Sequence, residues 1–258
     1  MSPEEILALY DREQRLEAEE SGMRRETIGT VVRQVGLHDR RSCVLHSNLS
    51  AENADAAIGE QVDYFSALGH GFEWKVFSHD APPDLKHRLV ARGFELEETE
   101  AILALELEAL PAMLASPILH DVRRITEPAA LRDVGIVKLA VWGEDTTGTL
   151  DRLARELREQ PERTKIYVVY ENGTPASAGW LAWNPKNQFA SLWGGSTVPA
   201  FRKRGLYTAL VAACAQEARR SGARFLTVDA RPMSRPILER IGFKLLTLAN
   251  ALHWRVSR

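Results

Sequence analysis

The spacing of apolar positions changes several times along these 258 residues. Ile6, Leu7, Tyr10 and Leu16 mark one face of a helix over 3–20, with Ser2 suited to cap it and Pro3 to open it. Alternating stretches at 30–35 and 42–47 predict a strand pair, joined by the polar turn His38, Asp39, Arg40 and Arg41. Ser50 is expected to cap a helix over 51–68, with Ala54, Ile58, Val62 and Phe65 at helical spacing and Gly69 and Gly71 behind it. A strand at 72–77 follows. A helix over 84–91, opened by Pro82 and Pro83, stops at Gly93, and a strand runs over 102–107.

The second half begins near His120 with a short strand at 121–125. Leu131, Val134, Val137, Leu139 and Val141 then give a helix over 127–142, and a polar break at 143–148 separates it from a helix over 149–159. Strands at 165–170 and 176–183 flank Asn172-Gly173, a strong hairpin signal because both positions tolerate positive φ. Next come a strand from Phe189, a basic loop, a long helix over 206–220, a strand at 224–230, a short helix at 234–241 and an extended run at 245–255. Residues 120–258 therefore read β-α-α-β-β-β-α-β-α-β. The whole is an α/β chain in which helices flank a mostly antiparallel mixed sheet.

The basic loop reads Thr197-Val198-Pro199-Ala200-Phe201-Arg202-Lys203-Arg204-Gly205-Leu206-Tyr207-Thr208. The first turn of a helix carries unpaired backbone N–H groups and the positive end of the macrodipole. A glycine lets backbone approach an anion closely, and the flanking cations add charge. The stretch is thus a candidate phosphate cradle, weighed against an ordinary solvated basic turn. Gly194-Gly195 just before it suits a β-bulge that parts the strand from its neighbour.

This arrangement resembles motif A of the GCN5-related N-acetyltransferases, Arg/Gln-x-x-Gly-x-Gly/Ala after a strand. Arg202, Gly205 and Tyr207 hold the three motif places, and Tyr207 departs from the small residue of the pattern. The β/α order over 120–258 is also that of the family. The resemblance implies an acetyl-coenzyme A-dependent N-acetyltransferase using no metal. In it, backbone amides of Lys203, Arg204, Gly205, Leu206, Tyr207 and Thr208 surround a diphosphate, while Ser196 and Thr197 pair with the pantetheine arm and polarise the thioester carbonyl. Arg202 and Arg204 read either as phosphate contacts or as solvated charges. The acceptor would be an amine of a small molecule or a protein, attacking directly in a ternary complex.

The tyrosine that protonates the leaving thiolate in many members falls at Leu238, and the asparagine that opens that motif falls at Arg231. Ser234 reads as a helix cap. No base is assigned: Glu144, Asp145 beside Trp142, and Asp229 are candidates that read as readily as loop carboxylates or caps, and His253 reads as structural. A coenzyme-binding regulatory protein without turnover, or an acyltransferase using another acyl group, are the rival readings.

The halves also rhyme. Arg88 to Leu96 resembles Leu238 to Leu245 in placing Gly-Phe after a helix, at Gly93-Phe94 and Gly242-Phe243. Residues 1–110 are therefore expected to be a shortened, degenerate copy of the fold, 111–119 a linker, and 120–258 the acetyltransferase domain. Before the long helix of the first copy stand Asn48, Leu49 and Ser50, without glycine or basic cluster.

Composition narrows the rest. A hydrophobic content of 45% and a mean hydropathy of −0.24 suit a globular core. A net charge of −2 gives no global attraction to nucleic acid or anionic membrane, so neither is expected as a partner. Cys43 and Cys214 are read as buried thiols, and the seven histidines lack metal-binding spacing. The first 21 residues lack the apolar core of a signal peptide, so a cytoplasmic location is expected. Oligomeric state is not legible.

Overall fold

The computed structural model describes residues 1–20, 22–37, 41–143 and 145–256. The chain forms two compact units, neither contiguous in sequence. The first comprises Met1–Ile102, Ala230–Arg235 and Leu245–Arg258, and the second Leu103–Asp229 with Pro236–Lys244. The sequence-order division at 110 and 120 does not reproduce this partition. Segment 103–119 counts with the second unit and the last strand with the first.

The first unit opens with α1 (Pro3–Tyr10), capped by Ser2 and Glu5 in a reciprocal capping box. It continues as a wider π-helical stretch, Asp11–Leu16, in place of the single helix expected to residue 20. Five strands follow the order β1 (Met23–Ile28), β2 (Val31–Gly36), β3 (Ser42–Ser47), β4 (Phe72–Phe77) and β12 (Lys244–Trp254). Neighbours are antiparallel except β3 and β4. The expected turn at 38–41 falls largely outside the described residues. The sequence reading misses β1, whose residues Met23-Arg-Arg-Glu-Thr-Ile28 are mostly exposed and lack apolar alternation because it pairs on one side only. It also misses β5 (Glu95–Leu96), two exposed residues held by β12.

Helix α2 (Ala54–Ala67) starts later than expected, and Ser50 does not cap it. Instead the Glu52 amide donates to Ser50 Oγ and the Ser50 amide to Asn53 Oδ1, so Ser50 closes a turn before the helix. Ile58, Val62 and Phe65 pack with Trp74, Phe72 and Leu89 of β4 and α3 (Leu85–Ala91) to form the core of this unit.

The chain passes to the second unit within β6 (Glu100–Glu106). A short helix α4 (Ala112–Ala115) lies in the expected linker, with Leu114 buried and the Gln216 amide donating to the carbonyls of Leu114 and Ser116. Then come β7 (Asp121–Ile125), α5 (Leu131–Trp142), α6 (Thr147–Glu159), β8 (Thr164–Glu171), β9 (Thr174–Trp183), β10 (Phe189–Thr197), α7 (Leu206–Ser221), β11 (Phe225–Ala230) and α8 (Arg235–Arg240). With β12 this is the β/α order expected for 120–258. β7, β8, β9 and β10 are antiparallel in sequence, and β11 lies parallel to β10. Helices α5 and α6 cover one face, over Ile166, Val168, Ala178 and Trp180. Alternation along the strands turns the intervening side chains to α7 on the other face, where Gly179 lies under Leu210.

Candidate coenzyme-binding site

Strands β10 and β11 are paired only at Phe189, Ala190 and Ser191 with Phe225, Leu226 and Thr227. Beyond that the parallel pair parts, and the register of β10 against β9 shifts between Trp193 and Ser196. The three-residue step on β10 opposes a two-residue step on β9, which is a β-bulge at Gly194 and Gly195, as expected. Gly194 takes φ of 63°, which glycine adopts without steric cost.

After the bulge β10 rejoins β9. The Val198 amide donates to Ala176 O at 2.9 Å. Alternation in an antiparallel pair then directs the backbone of Ser196 to β9 and that of Thr197 to the open side. Side chains fix this end firmly. Ser177 Oγ donates to Ser196 O at 2.8 Å and lies 2.9 Å from Thr197 Oγ1. Trp142 Nε1, from the end of α5, donates to Ser196 Oγ at 3.1 Å.

The loop that follows is a 3₁₀ turn, Pro199–Phe201, then two left-handed residues, Lys203 (φ 63°) and Gly205 (φ 79°). Left-handed residues of this kind can turn successive amides to one side, a geometry suited to anions. Among the described residues, no backbone carbonyl accepts from the amides of Lys203, Arg204, Gly205, Leu206, Tyr207 or Thr208. The first helical amide with a carbonyl partner is that of Ala209, on Gly205 O.

The basic side chains divide by role. Arg202 Nε donates to Thr197 O at 3.2 Å and so braces the loop. Arg204 pairs with Glu171 and donates to Ala200 O, both at 3.3 Å. Lys203 is exposed. Sequence reasoning missed His120, whose Nε2 lies 3.1 Å from Arg204 O and must carry its proton there to donate. A Cβ on Gly205 would come within 3.3 Å of His120 Cε1, so this glycine answers both a backbone and a packing demand.

Tyr207 turns its ring away from the loop. The ring lies over Gly195, where a Cβ would meet Tyr207 Cε2 at 3.0 Å. Burial raises its phenol pKa and keeps it neutral.

The candidate acid–base groups fare unevenly. Leu238 is fully buried and has no proton to give. The Ser234 hydroxyl, just before α8, donates back to Arg231 O. Arg231 lies 3.9 Å from carboxylate oxygens of Glu97 and of Glu100. Asp145 Oδ1 accepts from the hydroxyl and amide of Thr147 just before α6, and these bonds lower its pKa. Glu144 lies outside the described residues. Asp229 ends the second unit's part of β11, half-buried. His253 lies 2.9 Å from Glu97. Cys214 is wholly buried and its thiol pKa raised, so it offers no thiolate. Among the described residues, no group of three or more His, Cys, Asp or Glu could hold a metal ion, and no helix is long and apolar enough to cross a membrane.

Comparisons with known proteins bear on the family and the fold. Residues 134–243 match the family model described as "Acetyltransferase (GNAT) family". No curated protein sequence matches the chain. Among solved structures, a GCN5-related N-acetyltransferase from Kribbella flavida superposes with a TM-score of 0.71 at 15% identity, covering 97% of this chain and 95% of its own. A functionally unknown conserved protein from Staphylococcus epidermidis gives 0.69 at 12% identity, covering 94% and 97%. A tandem GNAT protein from the clavulanic acid biosynthesis pathway gives 0.61 at 13% identity, covering 94% and 86%. At these identities the superpositions speak for the fold, and the family model speaks for the stretch that contains the bulge, the cradle and α7. Residues 134–243 are thus similar to the acetyltransferases that this family model describes.

Proposed function

We propose that the second unit binds acetyl-coenzyme A and transfers its acetyl group to a primary amine. The observation that carries this reading is the run of unpartnered amides from Lys203 to Thr208, behind a strand pair that parts at a bulge. These amides suit a diphosphate, and the Lys203 ammonium adds charge. The open-side backbone of Thr197 suits pairing with the pantetheine arm, and preorganised donors at this strand end would stabilise charge on a thioester oxygen. The bound coenzyme supplies an activated acyl thioester. The amine attacks its carbonyl carbon in a ternary complex; the C–N bond forms, the C–S bond breaks, and the amine's proton passes to solvent. Direct attack is favoured because the buried, protonated Cys214 cannot serve as a nucleophile. Solvent then protonates the leaving thiolate, since Leu238 cannot. The acceptor class stays with amines of small molecules or proteins.

Calorimetry with acetyl-coenzyme A tests the reading, and absence of saturable binding at millimolar ligand removes it. Leu238 favours a second reading, a coenzyme-binding protein without turnover. Binding with no thiol release across a panel of amines would select it.

For the first unit we propose a shortened copy of the same fold that holds no coenzyme. β3 and β4 repeat the second unit's device, a parallel pair joined through a helix and matched only at Ser42, Cys43 and Val44 with Phe72, Glu73 and Trp74. The helix ends also match. The amide of Phe94 bonds Leu89 O and that of Phe243 bonds Leu238 O, each at 3.1 Å, with Gly93 at φ 105° and Gly242 at 108°. Beyond the paired residues of β3, however, the chain's own Arg15 donates from Nε to Leu45 O at 3.0 Å. A guanidinium there takes the place a ligand would need.

A further inference from the structure

Each glycine of the β10 bulge carries an aromatic ring where a side chain would begin. A Cβ on Gly194 would lie 2.1 Å from Cζ3 of Trp180, and one on Gly195 would lie 3.0 Å from Cε2 of Tyr207 and 3.5 Å from its hydroxyl. The rings lie on opposite faces of the sheet. Trp180 belongs to the core under α5 and α6, while Tyr207 descends from the first turn of α7. Trp180 is buried, with Lys138 and Arg152 cations about its ring, and Tyr207 is half-buried with its ring edge against Gly195. A side chain at Gly194 would collide with Trp180, and one at Gly195, itself exposed, would press on the Tyr207 ring. The bulge lies beyond Ser191, in the stretch where β10 and β11 have parted.

We infer that Tyr207 is the residue that sets acyl length, closing with Trp180 the space beside the bulge so that only a short acyl group is accepted there. The inference rests on the coenzyme reading above and deepens it. Tyr207 is the adjustable half of the pair. The cradle uses its backbone amide, so its ring can be changed while the amide stays, whereas Trp180 is part of a core. A methylene pressed against a close-packed wall is discriminated by roughly ten- to two-hundred-fold.

The test is competition binding of coenzyme A, acetyl-, butyryl- and hexanoyl-coenzyme A to the wild type, Tyr207→Phe, Tyr207→Leu and Tyr207→Ala, with thermal melting of each as a fold check. The wild type should bind the hexanoyl thioester at least about tenfold more weakly than the acetyl one. Tyr207→Phe should keep that profile, because the ring remains. Tyr207→Ala should reduce the gap to below about threefold, and Tyr207→Leu decides if the alanine variant does not fold. A flat acyl series in the wild type, or an unchanged gap in the truncated variants, overturns the inference while leaving coenzyme binding intact. Failure of coenzyme A itself to bind overturns the coenzyme reading, and this inference with it.

Discussion

Arg15 offers the sharpest test of how the first unit is held together. It is 2% exposed, and its partners come from distant parts of the sequence. Its Nη2 donates to both oxygens of Asp80, at 2.6 and 2.8 Å, and its Nη1 to Asp11 at 2.8 Å. Its Nε donates to Leu45 O, and its guanidinium carbon stands 3.8 Å from the centre of the Phe77 ring. Arg15→Met keeps the apolar stem and removes the charge. Asp80, 5% exposed at its side chain, keeps the bond from the Phe77 amide but loses its counter-ion. Leaving one partner of a buried pair uncompensated costs about 3–5 kcal/mol. At roughly 2–4 °C per kcal/mol for chains of this size, the melting point should fall by about 6–20 °C. The double variant Arg15→Met/Asp80→Leu should recover much of the loss, since no unpaired charge remains there. Differential scanning calorimetry reads both. A fall of less than about 2 °C for Arg15→Met, or a double variant worse than the sum of the singles, would refute this account of the pair.

Other outcomes follow from the second unit. Gly205→Glu should abolish acetyl-coenzyme A binding in calorimetry, by placing charge and bulk at a left-handed position beside His120, and should cost about 1–2 kcal/mol in denaturant titrations. His120→Ala should weaken binding severalfold while costing only about 1 kcal/mol of stability, because it frees the Arg204 carbonyl and the loop it braces. Gly194→Ala should destabilise by about 1–3 kcal/mol through collision with Trp180, and unchanged urea midpoints would contradict the packing described. Burial raises the Glu217 pKa, but Lys165 at 2.7 Å and Arg220 at 2.6 Å outweigh it and hold the group at about 2. A depressed folded pKa contributes stability that is present above about 4.5 and lost as pH falls towards about 2. Glu217→Gln should therefore flatten the acid limb of the stability–pH curve in that window.

How much of this was legible in the sequence depends on how far each cause reaches along the chain. The bulged strand, basic turn and helix were legible because their parts are consecutive: a strand, a glycine pair, a proline, three cations and a glycine before a helix. The hairpin at Asn172-Gly173 was legible for the same reason, and both residues do take positive φ. The polar edge strand β1 was not, because a strand paired on one side and exposed on both faces leaves no apolar period to read. Ser50 misled because a serine before an apolar run can serve a turn as well as a cap, and only the chain's path decides between them.

What the sequence determined by itself was the order of elements, the place of the basic turn and the absence of a hydroxyl at position 238. Those are matters of residue type and spacing, and they act within a few residues. Only the tertiary structure decided that Tyr207 lies on Gly195 rather than toward the loop, that Trp142 fastens Ser196, that His120 supports Arg204, and that Arg15 meets Leu45 and Asp80. Each of these joins groups far apart along the chain through the packing of side chains in three dimensions, and no local pattern of hydrophobicity carries that information.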